Sequence, residues 1–228
     1  MKEECLICKA PLVYLDREKQ MECVICHKTE LSNTQCGEGH YVCNDCHTKG
    51  VDTIIDVCLN TDSADPINIF EQLVALPFCH MHGPEHHTIV GSALLTAYHN
   101  AGGDIELMPA LVEMQRRGAK VPGGTCGFWG ACGAAISTGM FVSIIMKTTP
   151  LSEREWGLAN AMTSRALSKI GAIGGPRCCK RNSYTAILEA VSLVKDELGI
   201  EMKCTLPLCG HTQKNNQCLQ MRCPYHCV

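Results

Sequence analysis

Cysteine constrains this chain more than any other residue type, because 18 of its 228 residues are cysteine and many of them recur at short spacings. In a secreted mini-protein that content would indicate a disulfide framework. This chain is longer, shows no apolar stretch near Met1 that would predict a secretory signal, and carries ten histidines beside the cysteines. The sequence therefore predicts thiolates that bind metal in a reducing cytoplasm.

The first 50 residues have the pattern of a small, loop-rich metal module. Two Cys-x2-Cys knuckles flank a hairpin-like stretch, and each knuckle can turn both of its sulfurs toward one ion. We predict from them a tetrahedral four-cysteine site of zinc-ribbon or rubredoxin type, with zinc favoured over iron. The predicted ligands are Cys5, Cys8, Cys23 and Cys26.

A second group of ligands follows directly and predicts a second zinc ion. Its members are Cys36, His40, Cys43 and Cys46. Spacing leaves open a cross-braced arrangement, in which the two sites exchange ligand pairs. His27 and His47 lie next to these motifs, and we predict that both are surface residues. Because such modules gain most of their folding energy from the metal, we expect a structural role, with docking of a partner protein second.

From Gly50 onward the apolar residues recur at helical spacing, and Gly and Pro residues separate successive helices. The predicted fold is mainly α, with a helical metal-binding domain at residues 51–228 after the cysteine-rich zinc-ribbon or rubredoxin-like module at 1–50. The net charge of −3 and the aromatic content of 5% predict neither a nucleic-acid nor a membrane partner. Residues 131–146 are apolar but short for a spanning helix.

Residues 121–147 are the most unusual stretch of this helical part. Glycine and proline end the preceding element, Thr125 can cap a helix, and a nearly uncharged run of small and apolar residues follows. Cys126 then lies at a helix N-terminus, where free backbone N–H groups favour a thiolate. In one continuous helix Cys126 and Cys132 would point about 120° apart, so they share a site only if Cys126 precedes the helix. The alternative is a buried packing helix with cysteines as small hydrophobes.

Residues 78–87 place four histidines, a glutamate and a cysteine together. Gly83 and Pro84 break any helix here, so we expect His82 in a loop. The next helix then opens with Glu85, His86 and His87. At the start of a buried helix these side chains can bind metal or exchange protons. The alternative is a polar helix cap with solvated imidazoles.

Two further cysteine groups lie near the C-terminus. Residues 171–181 contain Cys178 and Cys179 among basic neighbours that would lower a thiol pKa, so one of the pair is expected to bind or react. The tail predicts one more metal site drawn from four of its five cysteines, with iron–sulfur as plausible as zinc. These five are Cys204, Cys209, Cys218, Cys223 and Cys227, and the last is expected to be free.

Three motifs resemble the signatures of an uncharacterised family of anaerobic archaea and bacteria, a domain of unknown function. They are HGPEHH (82–87), PGGTCGFWGACGAA (122–135) and GGPRCCKR (174–181). The resemblance covers nearly the whole chain, N-terminal knuckles included, and implies no established reaction. A more distant similarity is to the helical C-GCAxxG-C-C proteins, presumed to be redox-active or metal-binding. It implies that Cys126 and either Cys178 or Cys179 match the cysteines of that group.

The three glycine-rich loops each precede a helix, so we predict that their imidazoles and thiols converge on one buried site. The site would hold an iron–sulfur cluster, 4Fe-4S in the first instance, or a single metal ion, and an excess of ligands without Cys-x2-Cys pairing favours iron–sulfur over structural zinc. The predicted cofactor ligands are His82, His86, His87, Cys126, Cys132, Cys178 and Cys179, with Cys204, Cys209, Cys218 and Cys223 in the tail; the predicted catalytic residues are Glu85, His86 and Cys126.

The function predicted from this pattern is metal-dependent redox or sulfur-handling chemistry in an anaerobic cytoplasm, with maturation of another metalloenzyme as one form of it. Two alternatives stay open: a zinc-binding adaptor without enzymatic activity, and a cluster-free thiol enzyme in which His86 is the base. We expect another protein to bind the N-terminal module, and self-association is compatible with the sequence. The sequence contains no phosphate-binding motif, dinucleotide fingerprint or Ser-His-Asp order, so nucleotide-dependent chemistry is not expected.

Overall fold

The structure is a computed structural model and describes residues 5, 7–8, 10–47 and 52–227. It begins with two strands, β1 (Leu12–Glu22) and β2 (Thr29–Cys36). Nine α-helices are found in the described residues: α1 (Asn44–His47), α2 (Asp52–Leu59), α3 (Pro66–Val74), α4 (His86–Asn100), α5 (Leu107–Gly118), α6 (Thr125–Phe128), α7 (Gly133–Ile145), α8 (Arg154–Ile173) and α9 (Cys179–Leu198). The prediction of a mainly helical fold behind a cysteine-rich, metal-binding-capable N-terminal region is confirmed. The predicted domain boundary at residue 50 lies outside the described residues.

The N-terminal part is an antiparallel hairpin of β1 and β2. Leu12 pairs with Cys36 at its open end, Glu22 pairs with Thr29 near the turn, and the register shifts between Tyr14 and Lys19. After β2 the chain returns toward the turn, where the Val24 N–H donates to the Tyr41 carbonyl over 3.0 Å. This return determines how the metal ligands are shared.

Helix α4 is the centre of the helical domain, and its residues from His86 to Tyr98 are buried. Its sequence is apolar or small on every face, as expected of a helix surrounded by others. Helices α3, α5, α7 and α9 all pack against it. A Cβ on Gly91 would come within 2.4 Å of Met114 Sδ on α5, so the missing side chain allows this close packing.

The stretch 121–147 is two helices rather than one. The short α6 carries Cys126, and the chain then turns through Gly130, which has a φ of 65°, before Cys132 caps the start of α7. Of the two possibilities that the sequence left open, one continuous helix is not found, and Cys126 instead precedes the helix that begins after Cys132. Because Cys126 lies before α7, the angular separation that a single helix would impose on the two cysteines does not apply.

The C-terminal segment after α9 has little regular structure, with short 3-10 turns at Thr212–Lys214 and Gln220–Arg222. Asp65 joins it to the helical core. One carboxylate oxygen of Asp65 caps α3 by accepting the Ile67 N–H over 2.9 Å, and the other accepts the Thr205 N–H over 3.0 Å. In the part of the chain that the structure describes, no helix has both the length and the apolar character needed to cross a membrane.

Candidate functional site

The N-terminal ligands form two compact groups, each able to hold a metal ion such as zinc. Within each group the ligand atoms lie within 4.8 Å of one another. A tetrahedral zinc site with Zn–S bonds of about 2.3 Å would place its sulfurs roughly 3.8 Å apart. The first group is Cys5, Cys8, Cys36 and His40, and the second is Cys23, Cys26, Cys43 and Cys46. The prediction of two sites formed by consecutive ligands was wrong in its pairing, and the cross-braced alternative is the arrangement found.

Individual distances show how each group is built. Cys8 Sγ lies 3.8 Å from Cys36 Sγ and 3.2 Å from His40 Nδ1, while Cys26 Sγ lies 3.5 Å from Cys43 Sγ. Burial alone would raise the pKa of Cys23, but backbone N–H groups of Cys43 and its own knuckle lower that pKa to about 6. Such N–H groups aimed at sulfur favour the thiolate that a metal binds.

The hairpin explains why each N-terminal metal group takes its ligand pairs from separate parts of the sequence. The Cys23 knuckle forms the turn between β1 and β2, whereas the Cys5 knuckle and Cys36 lie at the open end. The chain from Cys36 to Cys46 then runs from the open end to the turn. Its first two ligands therefore join the Cys5 knuckle and its last two join the Cys23 knuckle.

A groove of about 510 Å³ separates the hairpin from the helical domain. The Tyr14 and Phe128 rings meet across it at 5.8 Å between centroids, and Arg177 lies 6.0 Å from the Tyr14 ring centroid. His47 also crosses this boundary, since its Nδ1 lies 3.2 Å from Glu85 Oε2. His47 is thus an interface residue rather than the surface residue that we predicted.

Beneath the groove, a cavity of about 40 Å³ lies where three long helices begin. Helices α4, α7 and α9 are 15, 13 and 20 residues long, and each contributes its first turn or N-cap residue to the lining. Free N–H groups and the positive ends of helix dipoles favour negative charge at such positions. The side chains that line the cavity and could bind a metal are His86, His87, Cys126, Cys132 and Cys179.

The thiols of the cavity differ in environment. Cys132 is buried and accepts a hydrogen bond from Asn182 Nδ2 over 3.4 Å. Burial raises the pKa of Cys132 and of Cys179, so both stay protonated near neutral pH in the absence of a nearby cation. Cys126 and Cys179 are both only partly buried. The cavity therefore offers one buried thiol and two that are partly exposed.

His87 presents a neutral imidazole to the same cavity. Its Nδ1–H donates to the Val121 carbonyl over 2.9 Å, which leaves Nε2 as the basic nitrogen, and burial lowers its pKa. The ring lies so close to the start of α7 that a Cβ on Gly133 would come within 2.1 Å of Nε2. Gly133 is thus required for the imidazole to occupy its position.

His86 and Glu85 have other partners. Lys180, which is buried, donates from Nζ to His86 Nε2 and to the His80 carbonyl, both over 2.8 Å, and lies 3.4 Å from Cys79 Sγ. His86 Nδ1 donates to the Gly83 carbonyl over 3.0 Å, so both ring nitrogens are engaged. Burial and the Lys180 charge hold the pKa of His86 well below its usual range.

Glu85 is fully buried and accepts the His80 N–H over 2.8 Å. Burial would raise its pKa, but the contact of Oε2 with His47 Nδ1 at 3.2 Å and the adjacent His86 imidazole outweigh burial and lower it to about 2. Ligand atoms of Cys79, Glu85 and His86 lie within 4.8 Å of one another. The Lys180 ammonium already contacts this group, so a positive charge is present where a metal ion would bind.

The remaining predicted ligands lie outside the central cavity. His82 lines the groove, accepts the Cys179 N–H at Nδ1 over 3.4 Å and contacts Asn215 Oδ1 through Nε2 at 3.3 Å. Cys178 lines a second, smaller cavity with Cys209, Cys218 and Cys223. Cys204 lies apart from both, in the segment that Asp65 binds. The structure thus divides the single convergent site that the sequence predicted into two.

Sequence reasoning missed several residues that shape the site. Lys180 was considered only as one of the basic neighbours of Cys178 and Cys179, and Asn182 was not predicted to contribute to the site. The available signal was that both residues closely follow the glycine-rich loop, which places them in the first turn of α9. Their partners lie 50 to 101 residues away, a distance that sequence patterns do not connect.

Comparison with known proteins adds one match. A family model described as a family of unknown function (DUF5714) matches residues 54–226. The match excludes the N-terminal hairpin, so the expected extension of the family resemblance over the knuckles is not supported. The similarity to the C-GCAxxG-C-C proteins stays a prediction. Neither a curated protein nor a solved structure matches the chain.

Proposed function

The chain belongs to this family of unknown function, and from its own site we propose that it is a metal-dependent redox or sulfur-handling protein. One observation carries the proposal: three cysteines and a neutral histidine, supplied at the starts of separate helices, line one cavity beneath a substrate-sized groove. Thiol and imidazole groups are the donors that soft metals and iron–sulfur clusters prefer.

The separation of the donors is compatible with a cluster. The described residues yield three groups with ligand atoms within 4.8 Å, and the cavity thiols are in none of them. Thiolates of an iron–sulfur cluster bind different irons, so their sulfurs are spread by the width of the cluster. The volume of about 40 Å³ has room for roughly three water-sized groups, so an eight-atom 4Fe-4S cluster would require the lining to open. An iron–sulfur centre bound here would supply electron transfer or a source of sulfur.

The residues of the chain have distinct roles in this proposal. Cys126, Cys132 and Cys179 bind the centre, and His87 Nε2 is available as a fourth donor. Asn182 orients the Cys132 sulfur. Arg177 lines both the groove and the cavity and can attract an anionic substrate.

We propose that the N-terminal hairpin has a structural role and docks a partner protein. The partner would be a metalloenzyme under maturation if the chain transfers sulfur or a cluster. The groove lies between the hairpin and the cavity. A docked partner would therefore lie close to the centre.

The test is metal and sulfide analysis after strictly anaerobic purification. Wild-type protein is expected to contain iron and acid-labile sulfide and to show visible charge-transfer absorption that dithionite bleaches. Cys126→Ala should stay folded by circular dichroism and lose iron and colour, while the matched variant Cys58→Ala, buried in the core away from the cavity, should keep both. A colourless wild-type protein that binds only zinc would overturn the proposal.

A second candidate is a cluster-free thiol enzyme, favoured by the partial exposure of Cys126 beneath the groove. His86, the base that we expected, has both nitrogens engaged, so His87 is the better candidate base. This function predicts one fast site of iodoacetamide alkylation near neutral pH, at Cys126, in metal-free protein. If Cys126 were alkylated no faster than an ordinary exposed thiol, this second function would be excluded.

A further inference from the structure

The second cavity holds thiols that the proposed function does not use. It measures about 10 Å³ and lies between the start of α9 and the C-terminal segment. The cysteines that line it are Cys178, Cys209, Cys218 and Cys223. Cys178 and Cys179 line different cavities, so the two sites are distinct although these residues are adjacent at the start of α9.

We propose that these four cysteines form a third metal site, in which four thiolates hold one soft divalent ion such as zinc. The volume is close to that of a single water-sized group, which fits one ion and is too small for a cluster. The four sulfurs are not yet within the 4.8 Å mutual spacing of the N-terminal groups, so binding would draw them together.

Hydrogen bonds to the sulfurs match those of the N-terminal groups. The Gln220 N–H donates to Cys218 Sγ over 3.3 Å, the same two-residue offset as the Ile7 N–H to Cys5 Sγ over 3.4 Å. Cys178 Sγ accepts the Arg181 N–H and the Asn215 side-chain amide, both over 3.4 Å. Donors directed at sulfur stabilise the thiolate form that a metal ion requires.

The C-terminal segment also needs a link that holds it to the helical domain. It has only short 3-10 turns and exposes large apolar side chains, Leu206, Leu208 and Met221. A segment with so little core of its own usually depends on a metal or disulfide for its structure. A metal bound by three tail cysteines and Cys178 would fasten the segment to α9, which itself opens onto the central cavity.

The first test is metal content per chain in full-length protein purified without oxygen. Replacing either of two cavity cysteines should remove one metal equivalent relative to wild type, while replacing either of two tail cysteines outside the cavity should remove none. The cavity variants are Cys218→Ser and Cys223→Ser, and the matched controls are Cys204→Ser and Cys227→Ser. Unchanged metal in both cavity variants, or loss in Cys204→Ser, would overturn the proposal.

A measurement on wild-type protein covers the case in which these variants fail to fold. After exchange with cadmium-113, sites with four sulfurs resonate downfield of sites with three sulfurs and one nitrogen. We expect two four-sulfur signals, one from the Cys23 group and one from the tail. A single four-sulfur signal, or a disulfide among the tail cysteines detected by mass after alkylation, would contradict the proposal. Neither result depends on whether the central cavity holds iron.

Discussion

The side-chain amide of Asn182 donates a hydrogen bond to the sulfur of Cys132 over 3.4 Å and so joins the starts of α9 and α7. Both residues are buried and both line the central cavity. The bond fixes one thiol relative to the helix that supplies Cys179. It thus links two of the three helix starts on which the proposed metal centre depends.

Gly133→Ala should displace His87 and abolish binding of the centre. The added Cβ would come within 2.1 Å of His87 Nε2, so the ring or the start of α7 must move, at a cost of about 1–3 kcal/mol. Gly127→Ala is the matched control because its Cβ would meet nothing within 4 Å. Iron content and urea unfolding check both variants, and an iron-loaded Gly133→Ala protein would exclude His87 from the site.

The cross-braced pairing predicts which N-terminal variants lose the same ion. Cys23→Ser and Cys43→Ser belong to one group, so each should lose one zinc and the double variant should lose no second zinc. Cys36→Ser combined with Cys43→Ser affects both groups and should lose two. Zinc per chain, measured after dialysis, distinguishes the models. Consecutive pairing would be supported if the Cys23 and Cys43 double variant lost two ions.

Lys180→Met should destabilise the fold and raise the pKa of His86. Removing the ammonium leaves the His80 carbonyl and His86 Nε2 without their buried donor, which costs roughly 1–3 kcal/mol. Burial would still lower the pKa of His86, but the repulsion from Lys180 would be gone. Urea unfolding and an NMR titration measure the two effects. The exposed control Lys169→Met should change stability by less than about 0.5 kcal/mol, and an unchanged His86 titration in Lys180→Met would refute the assigned contact.

Glu71 should make stability depend on pH in the acid range. Burial would raise its pKa, but the His211 imidazole, whose Nε2 lies 3.7 Å from Oε2, and a hydrogen bond from the Tyr184 hydroxyl outweigh burial and lower it. A depressed folded-state pKa adds stability above the usual glutamate range, and that stability is lost as pH falls through the folded value. The difference in unfolding free energy between wild type and Glu71→Gln should therefore shrink on acidification. A difference that stayed constant from neutral pH to pH about 3 would contradict this linkage.

Local patterns in the sequence predicted the ligand motifs and helix boundaries better than they predicted which of these lie in contact. The Cys-x2-Cys knuckles and the glycine breaks before α4 and α9 act over a few residues, so spacing indicates them directly. The pairing of Cys36 with the Cys5 knuckle depends on where a hairpin returns its chain, which spacing does not encode. Similarly, the sequence left open whether Cys126 and Cys132 share one helix, and the structure places them on either side of a turn at Gly130.

The same limit applies to the candidate site, where local features could be predicted and long-range contacts could not. The sequence indicated thiols and imidazoles at helix starts, because glycine, proline and capping residues mark where helices begin. It could not indicate that Cys178 and Cys179 line different cavities, since that depends on how α9 packs against the tail. Nor could it pair Lys180 with His86, a contact between residues 94 positions apart.

The proposed iron–sulfur centre is tested most directly by anomalous X-ray diffraction at the iron edge from crystals of anaerobically purified protein. We expect an iron peak in the cavity that Cys126, Cys132 and Cys179 line. An iron-free cavity in crystals whose N-terminal groups are loaded with zinc would contradict it.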